Sequence, residues 1–353
     1  MSDYTPQING SQSGKTIVWI PCGGRGEPSS RLRVYEVADA LERRYAVKNV
    51  FPPFQISSYP HAVVAQKICD RRLFPTLKQM KQNHCRCLYD ICDPIWMQEE
   101  VNKQRNWDVN EMVALADEII APTTSMEKAL KARYPSCRCR VIADSINTAA
   151  MEFQAPKKHV KKETLVVGWI GTALNMEHLS MVAEPLKQLN KLHPLKFRLI
   201  TASHNGMIRA LPEVPVEFIP WTIENHLQHL AECDIMVIPM PITDWTVTKS
   251  PNRLQLCWAL GIPAVFSPIP SYIELAAGHE RLARIARNHE EWVNHLTTLL
   301  QPEERNSIGA EAHSLIIKEH SLKARLPLWS DAILCSEACS AAHAAAEDRS
   351  GVT

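Results

Sequence analysis

Asp234–Pro268 reads DIMVIPMPITDWTVTKSPNRLQLCWALGIPAVFSP, and this stretch decides how the chain is read. It opens with DIMVIP, an apolar run closed by proline and of the length of a buried strand. A polar loop follows, carrying Asp244, Trp245 and Lys249. Helical spacing begins near Asn252, and Gly261-Ile262-Pro263 leads into a second apolar run, Ala264–Ser267. Strand, loop, helix and strand in that order build a parallel sheet covered by helices. Ligands in such sheets bind at the carboxyl ends of the strands, so the loop should face a ligand. The first turn of the helix presents unpaired N–H groups to an anion. Lys249 and Arg253 bracket that turn and can neutralise a diphosphate.

The same alternation extends upstream. Thr164–Ile170 (TLVVGWI) reads as a strand and Gly171-Thr172 as a turn, with Leu179, Val182, Ala183 and Leu186 on one helix face. Phe197–Ala202 and Val214–Ile219 supply further strands. The first half opens with Thr16–Pro21 (TIVWIP), then the loop CGGRGEP. A helix follows, capped by Ser29 or Ser30, with Val34, Val37, Ala38 and Leu41 on its buried face. Arg86–Ile91, Glu118–Ala121 and Arg140–Ala143 read as strands, and Thr124 with Glu127 as a capping box. From Glu290 onward the chain reads as helical and ends in an Ala-rich tail. PKKHVKK, between Ala155 and Glu163, reads as a solvated basic hinge. The expected parts are a disordered leader (1–15), a first Rossmann-like domain (16–155), a second (164–330) and a C-terminal helix and tail (331–353).

Composition narrows the function classes. The 353 residues are 45% hydrophobic and 22% charged with a net charge of +1, so no global field attracts nucleic acid. No apolar run reaches the roughly 18 residues of a membrane span. The N-terminus lacks a signal-peptide pattern, and a cytoplasmic protein is expected. Eleven cysteines, an odd number, fit reduced thiols. Cys85, Cys87 and Cys92 lie near His84, and Cys137 and Cys139 form a second close pair, but the pairs are C-x-C where a zinc site usually wants two at C-x2-4-C spacing, so no metal site is expected. GSQSGKT (Gly10–Thr16) imitates a P-loop, but it is one residue short and precedes its strand. The cations Arg71, Arg72, Lys78 and Lys81 form a modest basic stretch without stacking aromatics.

The ordered motifs resemble retaining glycosyltransferases of the GT-B architecture, and more narrowly the bacterial glycosyl transferases of the family 1 and family 4 group. In that group a run DI-x-x-x-P-x-x-x-x-W-x-x-x-K-x-x-x-[KR]-L precedes A-x-G-x-P-x-V. The corresponding residues here are Asp234, Ile235, Pro239, Trp245, Lys249, Arg253, Leu254, Ala259, Gly261, Pro263 and Val265, with five residues rather than four between Pro239 and Trp245. A G-W-I-G-[ST] turn matches Gly168–Thr172, an S-x-R-x-R stretch Ser29, Arg31 and Arg33, and a D-x-x-D Asp90 and Asp93. The resemblance implies an α/β fold of two Rossmann-like domains with a cleft between them. It also implies transfer of a sugar, with retention, from a nucleotide diphosphate sugar to an acceptor hydroxyl, without metal or bound cofactor. The acceptor class stays open among a glycan, a lipid-linked precursor, a small molecule and a modified base.

Site roles follow from the same resemblance. Gly171 and Thr172 correspond to the turn against the donor diphosphate, and Lys249 and Arg253 to its cationic neighbours, with Asp244 and Asn252 in the same loop and turn. Gly23, Gly24 and Arg31 face the donor from the first domain. Trp221 either packs on the nucleobase or belongs to the core. Asp93 is either an acceptor-side catalytic carboxylate or a turn residue, and His84 is a second acceptor-side possibility. Glu274 is either a sugar contact or a structural carboxylate. One departure stands out. Many members have two glutamates eight residues apart, the second binding ribose, and here those positions are Thr248 and Leu256. Leucine accepts no hydrogen bond, which keeps open a scaffold that has lost catalysis.

Overall fold

The computed structural model describes residues 16–41, 46–49, 59–151, 155–203 and 214–334. The leader, the P-loop imitation up to residue 15 and the tail beyond 334 lie outside the described residues. Two parallel α/β sheets organise the chain. The first contains β1 (Thr16–Ile20), β2 (Ala46–Asn49), β3 (Ala62–Gln66), β4 (Arg86–Asp90), β5 (Glu118–Ala121) and β6 (Cys139–Val141), in the order β2-β1-β3-β4-β5-β6. The second contains β7 (Leu165–Ile170), β8 (Leu195–Thr201), β9 (Val216–Pro220), β10 (Ile235–Ile238) and β11 (Ala264–Phe266), in the order β11-β10-β7-β8-β9. Their apolar runs are buried throughout β3 and β10, as sheets covered on both faces require.

Contacts divide the chain into two compact units. One takes Met1–Asp90, Gln98–Ile120 and Leu326–Thr353, as far as these are described; the other takes Ile91–Met97 and Ala121–Arg325. In the first unit the helix after the CGGRGEP loop starts differently from the expected serine cap. Glu27 is the cap: its carboxylate accepts from Ser30 N at 2.6 Å, and Pro28 fills the first helical position, where no N–H is needed. A π-turn over Arg31–Tyr35 then passes into the helix Glu36–Leu41, which buries Val37, Ala38 and Leu41. In the second unit Thr123, one residue before the expected cap, accepts from Met126 N at 3.0 Å and starts the helix Thr124–Arg133.

The basic stretch 155–163 is solvated only in part: Lys158, Val160, Lys161 and Glu163 are exposed, while His159 is buried. Lys157 Nζ donates to Cys233 O at 2.6 Å, and Lys162 Nζ reaches both oxygens of Asp234 at 2.7 and 2.9 Å. His159 exchanges hydrogen bonds with the Asn306 side chain. Asp234 is fully buried, and burial alone would raise its carboxyl. The Lys162 bond, the Val166 N–H and the two ammonium charges outweigh that and hold it below the ordinary range. Asp234, the first residue of the DI motif, is therefore a structural anchor that seams this stretch to the second sheet. Gly261 completes the seam. Its φ is +72°, and a Cβ there would stand 2.6 Å from Pro156 Cβ.

Candidate functional site

The second sheet reverses direction of growth at β7, which has β10 on one side and β8 on the other. Such a switch point, at the carboxyl ends of the strands, is where open α/β sheets bind ligands. Two segments expected to hold a donor leave from it. Gly171-Thr172 follows β7, and the loop Pro239–Pro251 follows β10. Gly171 must be glycine for a local reason, since a Cβ would come within 2.6 Å of the Trp169 ring.

The loop after β10 is held by threonine hydroxyls. Thr246 Oγ1 donates to Pro241 O at 2.5 Å, Thr248 Oγ1 to Trp245 O at 2.9 Å, and Thr123 Oγ1 to Thr248 O at 3.2 Å. Ser271 Oγ fixes the Lys249 carbonyl at 2.5 Å, and Ser250 Oγ donates to Asp144 at 2.5 Å. Lys249 is thereby fixed at its backbone. Its ammonium lies 2.6 Å from Asp93 Oδ1 and 5.2 Å from the Trp245 ring centre. Asp93 comes from the Ile91–Met97 segment after β4, which packs with this unit. The structure thus joins Asp93 and Lys249, while His84 sits exposed at the amino-terminal end of β4, away from the strand ends that bind ligands.

The helix Asn252–Ala259 has Pro251 at its cap position and no side chain capping its first turn. Its leading N–H groups are left for another acceptor. Arg253 is half-buried in that turn, and its Nη1 is buried with no hydrogen-bond partner among the described residues. Leu256 is half-buried against the second unit's core, so nothing at this position replaces the missing glutamate.

The remaining expected residues are more scattered. Asp244 is exposed in the loop. Glu274 is exposed and accepts from Thr124 Oγ1 at 3.2 Å. Trp221 follows β9, the edge strand, half-buried against the core with its ring 5.4 Å from that of His226. Sequence reasoning missed His178, on the 3-10 turn Ala173–Met181 directly after Thr172. Its side chain is 12% exposed, and its Nδ1 is buried without a hydrogen-bond partner among the described residues.

In the first unit, Gly23 N donates to Ser30 Oγ at 3.1 Å, and a Cβ on Gly23 would meet Glu27 Cβ at 2.9 Å. Gly24 is exposed with open space around it. Arg31 is half-buried with Nε 3.6 Å from Glu36. Burial pushes the Glu36 carboxyl up to about 7 against the opposing pull of Arg31. The folded protein therefore holds a proton there that the unfolded chain releases near its ordinary value of 4.5. This contribution to stability is fully present below that value and is lost as pH rises through about 7. Between pH 5 and 8.5, Glu36→Gln should remove about 2 kcal/mol of alkaline destabilisation, read as convergence of the melting temperatures of the two proteins at low pH.

Arg33 and Asp90, both carried by motifs of the resemblance, are structural. Arg33 Nε and Nη2 donate to Asp90 at 2.9 and 2.6 Å, and the two side chains are 2% and 0% exposed.

No protein-family model matches the sequence, and a search of curated proteins finds no match. Solved structures do match. Anabaena HepE in complex with UDP superposes with a TM-score of 0.64 at 14% identity, covering 90% of this chain and 98% of that one. An alpha-glucosyltransferase in complex with UDP and a 13-mer DNA containing an HMU base gives 0.65 at 10% identity, covering 92% and 100%. TarM gives 0.57 at 13% identity; the match covers 78% of this chain and spans 55% of TarM. At these identities the likeness establishes the fold, which is GT-B: two Rossmann-like α/β parts, as expected from the sequence.

Proposed function

We propose that this protein is a glycosyltransferase that binds a nucleoside diphosphate sugar at the switch point of the second sheet and transfers the sugar, with retention, to an acceptor hydroxyl. The observation that carries the reading is the convergence of the Gly171 turn, Lys249 and the uncapped helix start at Asn252 on one end of β7 and β10. Two of the similar structures hold UDP, which makes a UDP-sugar the first donor to try. Lys249 and Arg253 would neutralise the leaving diphosphate, whose own oxygen removes the acceptor proton on the same face. The chain contributes placement and charge, so Asp93 acts by positioning the Lys249 ammonium. Because cations and a helix terminus do this work, turnover should persist in excess chelator.

Two alternatives have specific features. A scaffold without catalysis is motivated by Leu256. An acceptor base in nucleic acid is motivated by the DNA-bound relative, but the basic stretch offers little to phosphates. Arg71, Arg72, Lys78 and Lys81 are paired with Asp108, Asp70, Glu111 and Asp117. No helix among the described residues is long and apolar enough to cross a membrane, and we place the reaction in the cytoplasm. The test is release of the free nucleotide from UDP-, GDP-, CDP-, ADP- and dTDP-sugars, with water or offered glycans as acceptor, in excess EDTA. Release from one nucleotide class supports the reading; release from none, or release abolished by EDTA, contradicts it.

A further inference from the structure

We propose that His178 is a third contact to the donor diphosphate, donating from Nδ1 to an oxygen that Arg253 Nη1 also holds. This rests on the donor-site reading above. The two residues reach one place by different routes. His178 lies on the 3-10 turn that follows β7, and Arg253 in the first turn of the helix that follows the β10 loop. β7 and β10 are hydrogen-bonded parallel neighbours, so both segments leave the sheet at the same end.

Each residue presents a buried nitrogen without a hydrogen-bond partner among the described residues, His178 Nδ1 and Arg253 Nη1. Buried polar groups in folded proteins are usually paired, and the Arg253 charge acts on the His178 ring, so one phosphate oxygen at this sheet end would satisfy both nitrogens. Neighbouring side chains do not supply it. Glu177 is 72% exposed, and its carboxylate is 3.9 Å from the other ring nitrogen, Nε2, beyond hydrogen-bonding distance. Burial first, and the Arg253 charge second, lower the basicity of His178. A neutral ring with its proton on Nδ1 can donate without adding a second positive charge beside Arg253. The acceptor that suits a guanidinium and a neutral N–H together is an oxygen of a phosphate. Gly171-Thr172, seven to six residues earlier in the chain, brings the backbone turn to the same strand end.

The test uses the full chain, with UDP and uridine as probes in ligand-observed NMR titrations. The Asn side chain in His178→Asn can place an N–H where Nδ1 stands, whereas that in His178→Gln reaches toward the Nε2 edge. The expected result is about tenfold weaker UDP binding for His178→Gln, near-normal binding for His178→Asn, and unchanged uridine binding for both. Equal UDP affinity in all three proteins overturns the inference and leaves the donor site standing. Parallel loss of UDP and uridine also overturns it, because that is the signature of a structural role. Failure of the unsubstituted protein to bind UDP overturns the donor-site reading with UDP, and this inference with it.

Discussion

Lys249→Ala is expected to slow sugar transfer, or donor hydrolysis without acceptor, by about a hundredfold or more. The lysine is fixed from three directions. Ser271 holds its carbonyl, Asp93 its ammonium, and the Trp245 ring lies alongside its charge. A cation placed before reaction needs no reorganisation as charge develops on the leaving diphosphate, and this is where a single donor has its largest catalytic effect. Alanine leaves the backbone bonds of the loop in place, so the melting temperature should change by only a few degrees while the rate collapses. Asp93→Asn gives the control, because it keeps the lysine and removes its charged partner. Its effect should be smaller and should fall mainly on turnover rather than on donor KM. A Lys249→Ala protein as active as the parent would move the site elsewhere.

The largest stability effect is expected at Asp90. Its carboxylate and the Arg33 guanidinium form a bidentate pair closed off from solvent, with the Trp329 ring 5.4 Å from the guanidinium and Trp19 packed on Trp329. Asp90→Ala leaves a buried positive charge without its counterion, a change that typically costs about 3–5 kcal/mol. The melting temperature of the first unit should fall by roughly 10 °C or more. The double replacement Arg33→Met with Asp90→Leu should recover most of that loss, because removing both charges also removes their desolvation cost. A single variant that melts with the parent would show that the pair carries no net stability. Because Trp329 belongs to the same unit, the part of the helix Leu322–Leu334 from Leu326 onward should loosen with it, which hydrogen exchange along that helix would detect.

The sheets were legible in the sequence because their strands are buried on both faces and appear as unbroken apolar runs. TIVWI, EIIA and IMVI all read that way, and Glu118–Ala121 falls where expected. Gly261-Ile262-Pro263 was also legible as the lead into the next strand, and the structure adds that Gly261 takes a left-handed turn there. What escaped was pairing across long separations. PKKHVKK looks solvated by composition, yet Asp234, 72 residues from Lys162, pairs with Lys162 and Lys157, while Lys158 and Lys161 stay exposed. Arg33 and Asp90, 57 residues apart, fell within motifs that suggested a site and instead form a core ion pair. Ser29 and Ser30 have the chemistry of caps, but Pro28 moved the helix start forward and gave the cap to Glu27. His178 gave no signal at all, because a lone histidine on a short turn looks the same whether it is a ligand contact or a core residue. Its buried Nδ1, without a hydrogen-bond partner among the described residues and on the turn that follows Gly171-Thr172, is what sets it apart.

The most direct test of the donor site is a calorimetric titration of UDP into the parent protein and into the Lys249→Ala/Arg253→Ala double variant, with melting temperatures taken on both. The site described here predicts saturable binding by the parent and at least hundredfold weaker binding by a double variant that remains folded. Equal affinity in the two proteins, or a parent that binds neither UDP nor GDP, CDP, ADP or dTDP, would contradict it.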